Sequence, residues 1–207
     1  AAPKYDKAAA ERLLDKAGWK LQDGVRVKGK EVLRLSLVTT KNNDFERALS
    51  QLVEQWSALG IVVSSNIVDT SNPTQNFARD ILQPRNYDVL LYQLTIGADP
   101  DVYAYWHSSQ ANGGFNFSNY KNTISDDALA SARSTTDQRL RNVKYISLAK
   151  QWLSDAPAIG LYQATVQYVY SNNVHVMPMS KALISSNDRY ADVLYWSVGN
   201  RIVHQTP

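Results

Sequence analysis

Val32-Leu-Arg-Leu-Ser-Leu-Val38 and Ile61-Val-Val-Ser-Ser-Asn-Ile-Val68 decide the fold, together with what lies between them. Both segments are apolar, rich in branched residues and of strand length. Between them Phe45, Leu49, Leu52, Val53, Trp56 and Leu59 recur at helical spacing and predict an amphipathic helix. Asn43 or Asp44 is read as its cap and Gly60 as its end. Strand, helix, strand with a crossover of this length predicts parallel pairing. A shorter helix over 74–82 and a third strand over 87–94 extend the unit into an α/β arrangement with right-handed crossovers.

Outward from this unit the pattern continues on both sides. Asp6 is placed to cap a first helix carrying Ala8, Leu13, Leu14 and Ala17, which Gly18 closes. Gly24-Val-Arg-Val-Lys-Gly-Lys30 reads as a hairpin-like turn. Downstream, residues 111–122 are rich in Asn, Gly and Ser and predict a long irregular loop, a place where function often sits. A helix capped by Ser125 follows. Next comes a helix over 137–153 whose apolar residues Leu140, Val143, Ile146, Leu148 and Trp152 predict its buried face. Asp155-Ala-Pro157 stops it, and strands are expected over 158–162, 165–170 and, briefly, 195–198. Tyr162, Tyr168 and Tyr170 are read as core or half-exposed strand residues.

Composition narrows the function classes. The chain has 207 residues, 44% of them hydrophobic and 20% charged, ordinary values for a globular protein. A net charge of +3 and a pI of about 9.0 fall short of the basic stripe a nucleic-acid groove needs. There is no cysteine, which removes disulfides, zinc thiolates and thiol nucleophiles. No run of about 18 apolar residues predicts a membrane-spanning helix. The opening Ala1-Ala-Pro-Lys-Tyr-Asp6 lacks a signal-peptide pattern and reads as a mature start or a fragment boundary.

Few motifs carry chemistry. Gly24 to Lys30 nearly matches a phosphate-binding loop, but Glu31 stands where Ser or Thr should hold magnesium, and a strand follows where a helix should. His107, His175 and His204 stand apart from other metal-type residues at ligand spacing. Asp99-Pro-Asp101 is the informative stretch, because it follows the third strand at the end where open α/β sheets bind ligands. Three readings compete. The two carboxylates could hold a divalent ion, as an Asp-x-Asp motif does in metal-dependent glycosyltransferases. They could form a rim that pairs a ligand amine, with Tyr103, Tyr105 and Trp106 as walls. Or Asp99 caps a helix whose first residue is Pro100.

The order of short motifs is more specific than any one of them. Tyr5-Asp-Lys-Ala8 precedes Leu13-Leu-Asp-Lys-Ala-Gly-Trp19. Asp23-Gly-Val-Arg26, Gly29-Lys30 and Leu33-x-Leu-x-Leu37 come next, then Gln51-Leu52 with Trp56 and Leu59-Gly-Ile61. Asp99-Pro-Asp101, Tyr105-Trp-His-Ser108, Asn116-Phe-Ser-Asn-Tyr120, Asp126-x-Ala-Leu129 and Asp155-Ala-Pro157 with Leu161-Tyr162 complete the series. This succession resembles the extracellular solute-binding proteins of family 5, the peptide- and oligopeptide-binding subunits of ABC importers.

The resemblance implies an α/β, periplasmic-binding-protein-like (type 2) lobe with a mixed, mainly parallel sheet flanked by helices. Family members are two-lobed and more than twice as long. Residues 1–207 would therefore be the C-terminal lobe, without the N-terminal lobe, signal peptide and lipid-anchor cysteine. The implied role is that of a binding protein without catalytic residues, metal or cofactor. It would be a monomer outside the cytoplasm, lipid-anchored at full length, capturing a peptide or other small solute by hinge closure and delivering it to an ABC permease. Thr95, Ile96, Gly97 and Ala98 map to the segment that offers main-chain hydrogen bonds to an extended peptide. An aspartate just beyond pairs with the peptide amine. Relatives often read Ala-Asp-Tyr-Pro-Asp-Pro where this chain reads Ala98-Asp-Pro-Asp101, one residue shorter, so either Asp99 or Asp101 is the counterpart. The family also carries nickel chelates, sugars and haem, and the ligand stays open at this point.

Overall fold

The protein is described by a computed structural model, covering residues 4–97, 99–165, 167–177, 183 and 185–199. It divides into two compact units: residues 1–94 with 108–120, and residues 95–107 with 121–207.

The first unit opens with helix α1 (Lys7–Lys16), whose N-cap Asp6 accepts a hydrogen bond from Ala9 N at 2.8 Å. Strands β1 (Lys20–Gln22), β2 (Val25–Lys28) and β3 (Glu31–Val32) form an antiparallel meander. The near-match to a phosphate loop is thus two hairpins. Arg26 of β2 is buried, an unusual place for a guanidinium. Its Nη1 donates to Asp15 Oδ1 at 2.7 Å and to Trp19 O at 3.1 Å, and its Nε to Leu59 O at 2.9 Å. One side chain therefore ties α1, the meander and the end of the next helix. Gly60 sits beside it at φ +83°, where an added Cβ would meet Leu21 Cδ1 at 2.5 Å. The exposed Leu21 end could move aside, but the left-handed backbone itself favours glycine there.

Strand β4 (Arg34–Thr40), helix α2 (Asn43–Ser57), strand β5 (Val62–Val68) and strand β6 (Val89–Leu90) build the parallel sheet in the order β5-β4-β6. The central β4 buries Leu37, Val38 and Thr39. Val38, Val68, Phe77, Ile81 and Leu82 form a core, with Tyr87, Leu90 and Phe117 packed on it. The cap of α2 is Asn42, whose Oδ1 accepts from Asp44 N and Phe45 N, instead of Asn43 or Asp44. The expected helix over 74–82 is one wide π-helical turn, Ala78–Leu82. The polar run before it is held in Asx turns around Asn72, which compete with helix. The third strand is shorter than the expected 87–94: only Val89 and Leu90 pair, with Leu37 and Val38, although β4 runs on to Thr40. Thr39 Oγ1 donating to Leu91 O at 2.9 Å is its last tie.

At the carboxyl ends of β4 and β5, Lys41 Nζ meets Asp69 Oδ2 at 2.7 Å and Asp69 Oδ1 accepts from Ser71. The hydrogen bond from Lys41, then those from Ser71, lower the Asp69 pKa to about 2. A carboxyl depressed in the folded state stabilises it above the ordinary aspartate range, and that contribution fades as pH falls toward 2. The melting temperature of the protein should therefore drop between pH 4 and pH 2. Asp69→Asn should flatten that drop in a thermal-melt series.

Within residues 108–120 the loop is ordered by side chains. Asn116 is fully buried; its Nδ2 donates to Tyr120 O at 2.8 Å and its Oδ1 accepts from Tyr120 N at 3.1 Å. Arg85 donates from Nη2 to Ala111 O and Gly114 O and covers the Phe117 ring at 4.8 Å.

The second unit holds helix α3 (Tyr103–Trp106), helix α4 (Thr123–Arg133) and helix α5 (Gln138–Asp155). The cap of α4 is Asn122, accepting from Ser125 N at 3.1 Å; Ser125 itself lies buried inside the helix. Asp137 caps α5, and Ala156 ends it in the left-handed region at φ +48°. Ala128, Leu129 and Leu148 form the core, with Val102, Tyr103, Trp106 and Tyr145 against it. The inner stripe of α5 is thus Arg141, Tyr145, Leu148 and Trp152, while Leu140, Val143 and Ile146, expected inside, are more than half exposed. Periodicity failed here because the helix is apolar on two sides. Among the described residues of 158–162 and 165–170 no strand pairs form, and Ile159, Tyr162 and Tyr170 are exposed. Apolar content alone does not make a strand. Strands β7 (Val174–His175) and β8 (Ser197–Val198) form a short antiparallel ribbon.

Candidate functional site

The stretch that follows the third strand opens the second unit. Thr95, Ile96 and Gly97 are exposed and lie outside regular structure. Thr95 O accepts from Tyr105 Oη at 3.0 Å. Among the described residues, the main-chain groups of Ile96 and Gly97 take part in no hydrogen bond. Unpaired amides and carbonyls in solvent are what an added strand would use. Space beside the Gly97 Cα is open. Ala98 lies outside the described residues.

The two aspartates have different surroundings. The Asp99 side chain is 57% exposed and the Asp101 side chain 25%. Asp99 Oδ1 takes Arg141 Nη2 of α5 and Asp101 N, while its Oδ2 has no partner among the described residues. The Arg141 hydrogen bond, chiefly, holds the Asp99 carboxyl below the usual range, and Asp99 in turn raises Arg141. Both oxygens of Asp101 are in use: Oδ1 accepts from Tyr103 N at 3.0 Å and Oδ2 meets Arg133 Nε of α4 at 2.8 Å. The capping expectation is corrected here. The helix starts at Tyr103, after Pro100, and the aspartate bonded to its first amide is Asp101, not Asp99. Each carboxylate already faces a guanidinium, so a divalent cation bridging them would have to displace two ion pairs.

Tyr103 and Trp106 are half-buried, with one side of each committed to the core. Tyr103 stacks on His107 at 4.1 Å between centroids, and Arg133 lies 4.5 Å over its ring. Trp106 meets Trp152 edge-on at 5.2 Å. The arginines are what sequence reading missed. Arg133 and Arg141 carry no motif, and they lie 32 and 42 residues from their carboxylates.

Comparison with known proteins bears on the family and the fold. The profile of the bacterial extracellular solute-binding proteins, family 5 Middle, matches residues 1–116. The chain belongs to family 5. The oligopeptide-binding protein AppA of Bacillus subtilis (strain 168) is 28% identical over 179 residues, covering 84% of this chain and 31% of AppA. Protein XP55 of Streptomyces lividans is 28% identical over 155 residues, 72% of this chain and 27% of XP55. The structure of AppA in complex with a nonapeptide superposes with a TM-score of 0.68 at 27% identity, covering 76% of this chain and 32% of that one. This family 5 chain thus spans about a third of the length of the curated relatives it matches. Its fold class is the periplasmic-binding-protein-like α/β expected from the sequence.

Proposed function

We propose that residues 1–207 form the C-terminal lobe of a two-lobed extracytoplasmic binding protein that captures peptides and hands them to an ABC permease. The observation that carries this reading is the unbonded main chain of exposed Ile96 and Gly97, followed two residues on by Asp99 with its Oδ2 unpartnered among the described residues. Backbone groups recognise any peptide in extended form, and a carboxylate recognises its amine. Asp99, not Asp101, is the counterpart of that amine, because only Asp99 has an oxygen to spare. Thr95, Ala98, Tyr103 and Trp106 complete the lobe's contribution, the aromatics as a rim behind the aspartate. Binding here requires no chemistry, and AppA, the relative matched over most of this chain, is an oligopeptide-binding protein. Nothing supports the metal-dependent transferase.

Mass spectrometry of small molecules co-purified with the full-length protein tests the reading. A mixed population of short peptides is the expected result. One non-peptide metabolite recovered in stoichiometric amount would overturn the peptide assignment. The 207-residue chain alone should retain peptides about a hundredfold more weakly, since one lobe cannot remove the ligand from water on both sides.

A further inference from the structure

Helix α5 has two faces with different chemistry. Arg141, Tyr145, Leu148 and Trp152 turn inward. On the opposite side, Arg139, Val143, Ile146, Lys150 and Leu153 follow one another at spacings of four, three, four and three, and all are exposed. Residues so spaced share one helix face, so they form a continuous outer seam. Between Asp137 and Asp155 the helix has no carboxylate. An exposed seam that is both apolar and cationic is not an ordinary solvated face.

We propose that this seam is a docking face for an anionic lipid surface. The charge pattern selects the occupant. A second copy of the chain would bring Arg139 and Lys150 against the same cations, which repel. A protein helix would have to supply carboxylates at two fixed positions of the seam. A bilayer interface meets Val143, Ile146 and Leu153 with acyl chains. Arginine and lysine stems reach outward from such a position to lipid phosphates. Each cation near the surface adds to the attraction, which salt screens.

The test is co-sedimentation of the protein with vesicles of phosphatidylcholine alone or with 30% phosphatidylglycerol. Binding should be at least about tenfold stronger to the anionic vesicles and should weaken as salt rises. The Arg139→Gln/Lys150→Gln and Val143→Ser/Ile146→Ser double variants should each lose at least about fivefold. The Arg12→Gln/Lys30→Gln pair, exposed in the first unit and equal in charge change, should lose less than twofold. Circular dichroism should stay unchanged in all three, because every altered side chain is exposed or on the surface of its helix. Equal binding to both vesicle types, no binding to either, or equal losses in the control pair would overturn the proposal. Absence of vesicle binding would leave a protein partner as the occupant and would not touch the peptide-binding reading.

Discussion

Asp99→Asn in the full-length protein should weaken peptides with a free amino terminus by about a hundredfold and their N-acetylated counterparts by less than about threefold. The substitution keeps shape and removes charge. Oδ1 is held by Arg141 and the Asp101 amide, which leaves Oδ2 for an incoming ammonium. An ammonium leaving water needs such a partner. Releasing Arg141 also disturbs the loop, but that disturbance falls equally on both ligands, and the acetylated series subtracts it. Asp101→Asn predicts the opposite pattern: it loosens the start of α3 and the tie to Arg133, and both ligands weaken together. The pH profile adds a second readout. Because Arg141 holds the Asp99 carboxyl below its usual range, the group is ionised throughout pH 5–7 and affinity should be flat there. Affinity should fall above about pH 8 as the peptide amine loses its proton. Isothermal titration decides it; equal losses for free and acetylated peptides would remove the ammonium-partner role from Asp99.

The second large effect is on stability. Arg26→Met should cost about 3 kcal/mol in urea denaturation. Methionine fills most of the volume, so a cavity contributes little. The loss comes from acceptors left behind. The Leu59 and Trp19 carbonyls and the Asp15 carboxylate all bond to one guanidinium that is almost fully buried. Replacing a buried ion pair with apolar groups can be neutral when both partners go, but here two are main-chain carbonyls that cannot be mutated away. Asp15→Asn should cost only about 1 kcal/mol, because its side chain is half-exposed and an amide oxygen still accepts. An Arg26→Met protein as stable as the wild type would mean that the meander and α1 are held by packing alone.

How much of this was legible follows from range. The β4–α2–β5 unit was readable because one helix separates two strands and their periods differ plainly. The order of motifs carried the family. Caps were misread by one to three residues, because Asn42 and Asn122 act from just outside their helices and the candidates inside looked equally polar. Facing was misread on α5, where two apolar stripes exist and periodicity has no means to choose between them. The arginine partners of Asp99 and Asp101 were invisible for a different reason: nothing local marks a cation that will fold back from a distant helix.

Asn116 leaves one practical consequence. Residues 111–120 have the makeup of a slack connector, the sort of place where a tag or a protease site would be inserted first. The amide of Asn116 closes that stretch into a ring through Tyr120, and Arg85 pins its other shoulder. The buried, bonded amides of Asn116 and Tyr120 should exchange deuterium slowly, and grafts placed there would unfasten the side of the sheet they were meant to spare.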